Sequence, residues 1–397
     1  MPKLSTVLKK QGTTSAPVKS AKRDGPLWKG PCDNAPMGGI TQSMIARWLQ
    51  CRERFRINYI EGIRPTPVFS IPIEFGNMWH VCEEALAAHN PWEDKLKEYC
   101  IKIARKYLMQ QDQVDHWYNV VKVQFPHYIE YWRTHQDVKE RTPISQEEVF
   151  HVSYSLPSGR QVWLKGKYDS VDLIGKGRGA GVYLQENKTK SKIDEQKLKR
   201  QLTFDLQTMM YLISLTYNEV LPAPILGVRY NVIRRDCPIR RHQATQGSKC
   251  PKCKGVPGTM NCPKCEGVGR IGAKPEEEKS HFYNRLSEDY FKQEPDQWFM
   301  RWKSEVSAQD IQKFKDTCLD PILENICWWY EELTGQDPGM TQSFPGDRPT
   351  YPPSNWRHPF GIRNILDEGG SSDLDEYLAT GSMIGLHRVD TLFEELQ

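Results

Sequence analysis

The chain has no long apolar run. Nowhere in its 397 residues is there a stretch long and apolar enough to cross a bilayer, and its first residues form no apolar core of a secretory leader. The expectation is a soluble chain in a reducing, cytoplasmic compartment. A charge excess is also lacking. Fifty-four Lys and Arg stand against 50 Asp and Glu, a formal net charge of +4. Overall charge therefore does not announce a nucleic-acid partner, and any basic surface must be local. No Gly-x-x-x-x-Gly-Lys-Ser/Thr loop is present to cradle a nucleotide, and nothing repeats except one pair of cysteine knuckles. The eleven cysteines do not form a secreted disulfide framework, and none follows Cys327.

What is present divides the chain into four. Residues 1–38 are polar, basic and rich in Ser, Thr, Lys and Pro, which reads as a disordered tail. Residues 39–235 carry the patterns of one large α/β core with a helical N-terminal part. Thr41 or Ser43 can cap a helix bearing Ile45, Trp48, Leu49 and Phe55, with Arg47, Arg52, Arg54 and Arg56 beside them. Those arginines are either a solvated face or a track for phosphates. A helix over residues 76–88 carries His80. Residues 93–137 are helical in pattern and rich in aromatics, most of them core. Residues 236–272 hold the cysteine knuckles, and residues 273–397 read as a C-terminal helical part packing on the core.

The chemistry gathers between residues 165 and 211. Residues 161–173 read as a strand, residues 175–181 as a glycine-rich turn, and residues 182–189 as the returning strand. Side chains two apart share a strand face. Val182, Leu184, Glu186 and Lys188 thus point one way, and Asp169 shares its face with Val171 and Leu173. Each apolar face ends in a charged group, which is costly to bury unless paired or bound to metal. Alone, Glu186 and Lys188 could be a surface pair. With Asp169 across the hairpin, two carboxylates converge on an oxygen-ligand site suited to Mg²⁺. Next, residues 194–218 read as one helix with Leu198, Leu202, Leu206, Met209 and Ile213 as its core stripe, while Gln207 and Tyr211 project from another face. Residues 225–234, a strand by pattern, run into a basic cluster of Arg229, Arg234, Arg235, Arg240, Arg241 and His242, either a solvated loop or a phosphate contact.

Cys250-Pro-Lys-Cys253 and Cys262-Pro-Lys-Cys265 form two Cys-x-x-Cys knuckles, eight residues apart. Two tight turns can present four thiolates to one tetrahedral, structural Zn²⁺. An insert this small needs its metal to fold. A redox role ranks lower, because the knuckles are duplicated and no thioredoxin-like pattern surrounds them. The flanking glycines resemble half of a DnaJ-type cysteine-rich module. A protein partner could dock on such an insert.

Four motifs in order carry a further resemblance: Gly76-Asn-Met-Trp-His80, Gly166-Lys-Tyr-Asp169, Glu186-Asn-Lys188 and Gln207-Thr-Met-Met-Tyr211. Together they resemble the PD-(D/E)XK nuclease superfamily, and within it the RecB-like exonucleases often carried by phages. Cys51-Arg-Glu-Arg-Phe with Tyr59-Ile-Glu-Gly62 is similar to the N-terminal helix of that branch. The resemblance implies a restriction-endonuclease-like core, a mixed central sheet flanked by helices. It implies a Mg²⁺- or Mn²⁺-dependent DNA nuclease, expected to be an exonuclease serving replication, recombination or repair. Asp169, Glu186 and the backbone carbonyl of Asn187 would hold the metal, joined by His80, which taken alone reads as a structural or exposed histidine. Lys188 would orient a water or neutralise charge, and Gln207 and Tyr211 would shape the site. Some relatives bind an iron–sulfur cluster through one N-terminal and three C-terminal cysteines. Cys51 is placed like the first, but Trp356-Arg-His-Pro-Phe-Gly stands where the others would be, so no cluster is expected and Cys51 should be a small buried residue. Two rival readings remain: a non-catalytic, zinc-containing nucleic-acid-binding protein on the same fold, and a nuclease acting on RNA.

Overall fold

Leu27 and Trp28 are the first buried residues among those described. In the computed structural model of the chain, residues 25–335 and 386–396 are described, apart from 51, 66, 134, 136–139, 218–220, 246, 253, 255–261, 266–269 and 273. Trp28 is 0% exposed, and its indole N–H donates to the Gly39 carbonyl at 2.6 Å. The end of the expected tail, residues 25–38, is thus ordered, because a Leu-Trp pair finds an apolar seat against Phe55 and Tyr330.

Strand β1 (Ile40–Thr41) leads into α1 (Gln42–Gln50), where the Thr41 hydroxyl accepts from the Met44 N–H at 3.4 Å. A short α2 (Arg52–Phe55) and β2 (Ile63–Pro65) follow. Three longer helices come next: α3 (Ile71–Ala87), α4 (Trp92–Lys106) and α5 (Gln111–Arg133). Helix α3 opens with Pro72 in its first turn, where the missing N–H costs nothing. It buries Phe75, Met78, Trp79, Cys82 and Ala85, a stripe at helical spacing. In α5, Trp117, Phe125, Tyr128 and Trp132 are buried, so most of the aromatics of this region are core.

Seven strands and two helices build the centre. They are β3 (Arg141–Gln146), β4 (Val149–Ser155), β5 (Gln161–Lys167), β6 (Ser170–Ile174), β7 (Gly181–Lys190), α6 (Glu195–Leu202), α7 (Leu206–Leu215), β8 (Ile225–Arg234) and, after the insert, β11 (Phe299–Glu305). The five-stranded sheet runs β11-β8-β7-β6-β3, and a smaller sheet runs β1-β5-β4. Only β7 and β8 are parallel within the large sheet. One face packs Val182, Leu184 and Val228 against α1, α7 and α10 (Asp320–Gly335). The other packs Ile233 and Phe299 against α3, α5 and α8 (Lys279–Leu286). The remaining described α-helix, α9 (Ala308–Phe314), starts at a capping box made by Ser307 and Asp310.

Three expectations change. Residues 161–173 are not one strand: β5 ends at Lys167 in the small sheet and β6 begins at Ser170 in the large one. Asp169 therefore sits in the crossing between sheets, where the buried alternation shifts from Val162, Leu164 and Tyr168 to Val171. Residues 194–218 are not one helix. Asp205 caps α7 through the Thr208 N–H, and Phe204 takes φ 57°, which ends the first helix. The Trp298–Trp302 segment, read as helical from its aromatics, is mostly strand. The alternation in Phe299-Met-Arg-Trp-Lys fits a sheet edge, and β11 pairs with β8 over seven residues.

Candidate metal and catalytic site

The crossing at Tyr168–Asp169 is what gathers the charged groups. Asp169 leaves the small sheet and meets β7 side-on, where its carboxylate accepts the Asn187 N–H at 2.7 Å. Strand β7 pairs with β6 as far as Gln185 and with β8 on through Glu186, which is only 2% exposed. The Lys188 ammonium donates to one Glu186 oxygen at 2.7 Å and to the Gln207 side-chain carbonyl at 2.7 Å. Glu186 and Lys188 are therefore an interior pair, and the surface-pair alternative does not hold. Tyr211, one turn along α7 from Gln207, packs beside Gly166. A Cβ there would lie 2.5 Å from the Phe150 ring and 2.9 Å from that of Tyr211, so only glycine admits both.

His80 reaches this cluster from α3. Its Nδ1 stands 3.7 Å from Asp169 Oδ1 and 3.7 Å from Glu147 Oε1. One atom each from His80, Glu147 and Asp169 lies within 4.8 Å of the others. Glu147 is the functional candidate that sequence reasoning missed, because residues 147–156 alternate apolar and polar side chains and read as one strand. It falls instead between β3 and β4 with φ 48°, a left-handed conformation that is uncommon for a residue bearing a side chain. Its N–H donates to the Asp169 carbonyl at 3.1 Å, and Lys167 donates to its carboxylate at 2.7 Å.

Burial and crowding set the protonation of these groups. Burial pushes the Glu186 carboxyl up to about 7; Lys188 opposes the shift and Asp169 adds to it. Burial likewise raises Asp169, against the pull of His80 and the Asn187 N–H. Burial alone would lower the His80 imidazolium, but Asp169, Glu147 and Glu83 outweigh it and hold the group up at about 10. Lys188 is also disfavoured by burial, and its Glu186 partner raises it. The second oxygen of Glu186 is buried with no hydrogen-bond partner among the described residues. Hard oxygen donors plus one imidazole, with an orphaned carboxylate oxygen, suit Mg²⁺ or Mn²⁺.

The second donor set is soft. Cys250, Cys262 and Cys265 are buried with their sulfurs within 4.8 Å of one another, and the Cys250 and Cys262 sulfurs are 3.7 Å apart. Thiolates around a tetrahedral Zn²⁺ at ~2.3 Å stand about 3.8 Å from each other. The set fits zinc. The strands β9 (Ser248–Lys249) and β10 (Arg270–Ile271) pair antiparallel beside it. Cys253, Cys51 and the Trp356-Arg-His-Pro-Phe-Gly stretch lie outside the described residues. A short β12 (Leu386–Arg388) returns to pair with β2.

The basic cluster after β8 is not a free cationic strip. Arg229 is 1% exposed and binds Asp172 inside the sheet at 2.8 Å. Arg234 pairs with Asp236 at 2.7 Å, and Arg241 pairs with Glu276. No described helix is long and apolar enough to cross a membrane. A family model described as the PD-(D/E)XK nuclease superfamily matches residues 40–320. No curated protein matches the chain.

Proposed function

The chain belongs to the PD-(D/E)XK nuclease superfamily, and from that premise we propose that it is a Mg²⁺- or Mn²⁺-dependent DNA exonuclease of the RecB-like kind. The observation that carries this reading is the buried Glu186–Lys188 pair set beside Asp169, His80 and Glu147. His80, Glu147, Asp169, Glu186 and the Asn187 carbonyl would hold the cation. When bound, such an ion polarises a phosphodiester and acidifies a water molecule. The chain's own groups do the rest. Lys188, held between Glu186 and Gln207, offers a fixed ammonium to the charge that grows on the phosphate. Gln207 sets the position of that ammonium, and Tyr211 closes the wall beneath it. The cysteine insert holds a structural Zn²⁺ through Cys250, Cys253, Cys262 and Cys265 and offers a surface for a protein partner. The test is purified protein with Mg²⁺ or Mn²⁺ on end-labelled linear DNA, closed circular DNA and RNA. Loss of the linear DNA alone supports the reading. Nicking of the circle would make the protein an endonuclease, degradation of RNA alone would move the substrate class, and no hydrolysis at all would overturn it.

A further inference from the structure

Phe204 is placed where folding alone gives no reason for an aromatic ring. It lies in the break between α6 and α7 with φ 57°, a conformation that bulky residues avoid and that glycine or asparagine adopts readily. Its neighbours Leu202 and Leu206 turn inward to the core, whereas Phe204 is 50% exposed. The break itself is rigid. The Thr203 hydroxyl donates to the Lys199 carbonyl at 2.6 Å, the Asp205 N–H donates to the Leu202 carbonyl at 3.3 Å, and the Tyr230 hydroxyl donates to that same carbonyl at 2.7 Å. Strain and exposure together, on a rigid support, mark a side chain held out for contact.

What it would contact follows from its surroundings. Asp205, the next residue, lies close enough to act on the charges of Lys188 and Lys190, and Gln207 bonds Lys188. Phe204 thus stands three residues before Gln207, on the segment that runs past the proposed site. On the same stretch of chain Lys192, Lys197 and Arg200 are exposed, with Asp194 and Glu195 among them and Glu195 paired to Lys199. Cations suit a phosphate backbone, and an exposed ring among them suits the face of an unpaired base. Bases within a duplex are already stacked on one another, so this ring selects a single strand or a frayed end.

We propose that Phe204 stacks on an unpaired base of a single-stranded nucleic-acid substrate and so positions the strand at the site; this rests on the nuclease reading above. The test uses the full chain, without added divalent cation, and a single-stranded oligonucleotide carrying 2-aminopurine at successive positions. Wild type should quench one position on binding. Phe204→Ala and Phe204→Leu should lose the quench and bind about 5- to 100-fold more weakly, while Phe204→Trp keeps both. Affinity for blunt duplex should stay within about twofold, since no base there is free to stack. Phe204→Gly should bind like Phe204→Ala but melt higher than it, because the left-handed turn is relieved. Unchanged quench and affinity in folded Phe204→Leu would overturn the proposal. So would loss of self-association in Phe204→Ala with the quench intact, which would make the ring a contact between copies. Failure of the two readings separates cleanly. A quench without hydrolysis under Mg²⁺ or Mn²⁺ removes the nuclease reading, and hydrolysis without a quench removes the stacking.

Discussion

Lys188 is bonded on two sides, to Glu186 and to Gln207, and so cannot wander as a surface lysine would. Held in that way, it should act in the transition state more than in binding. Lys188→Ala is expected to lower kcat by about 100-fold or more, with DNA affinity little changed because one phosphate contact among many is lost. Lys188→Arg should not restore the rate, since a planar fork does not fit a seat built for a compact ammonium. Single-turnover kinetics beside a binding titration check both; near-normal turnover in Lys188→Ala would reduce the residue to a packing partner. Glu147 gives the second prediction at this scale. Glu147→Gln keeps the size and its bond to Lys167 but removes a negative charge from the cluster. Mn²⁺ binding by calorimetry should weaken by about 10-fold or more while the melting temperature holds. Residues such as Asp169, Glu186 and Lys188 were legible because their motif is local. Glu147 was legible only through register. The β4–β5 ladder pairs Val149 with Lys167, and continuing it by one step on the same face sets Glu147 opposite Asp169. The Pro157-Ser-Gly159 turn fixes that register, with Gly159 taking the left-handed φ of 85°.

The elements divide by whether their patterns are local. Helix α3 was readable because its stripe repeats every three or four residues. The breaks at Asp169 and at residues 203–205 were not: a one-residue shift in the alternation is the first one's mark, and the second lies inside a continuous helical stripe. A helix cut by one left-handed residue resumes its stripe. The cysteine insert is the opposite case, with spacing alone indicating the ligand type. Three of its sulfurs meet, so freshly purified protein is expected to hold one Zn²⁺ per chain by elemental analysis. Cys253→Ser should release it and open the β9–β10 pair to protease, with the core's melting transition preserved. Iron with visible absorbance in place of zinc would remove the zinc assignment.

At the scale of the molecule, the central sheet is what joins the two apolar layers, and its outer strand comes from far along the chain. Residues 299–305 pair with β8 across the whole of β11, while Phe299 joins the second core and Trp302 packs on Tyr230 from the first. Sequence reading put the core in residues 39–235, because the motifs fall within it and the cysteine insert follows, and aromatic content said nothing about sheet membership. The pairing argues for a different unit of folding. Removing β11 would expose the N–H and C=O groups of β8, an unprotected edge that recruits other chains. It would also uncover Tyr230, which is 1% exposed. A chain ending before Phe299 is therefore expected to be insoluble or to lose its cooperative melting transition, even though every proposed site residue is still present. A chain ending at residue 335 keeps β11 and α10 and should melt cooperatively. If the shorter chain folded and cut DNA like the longer one, β11 would be an accessory strand and the folding unit would end with β8.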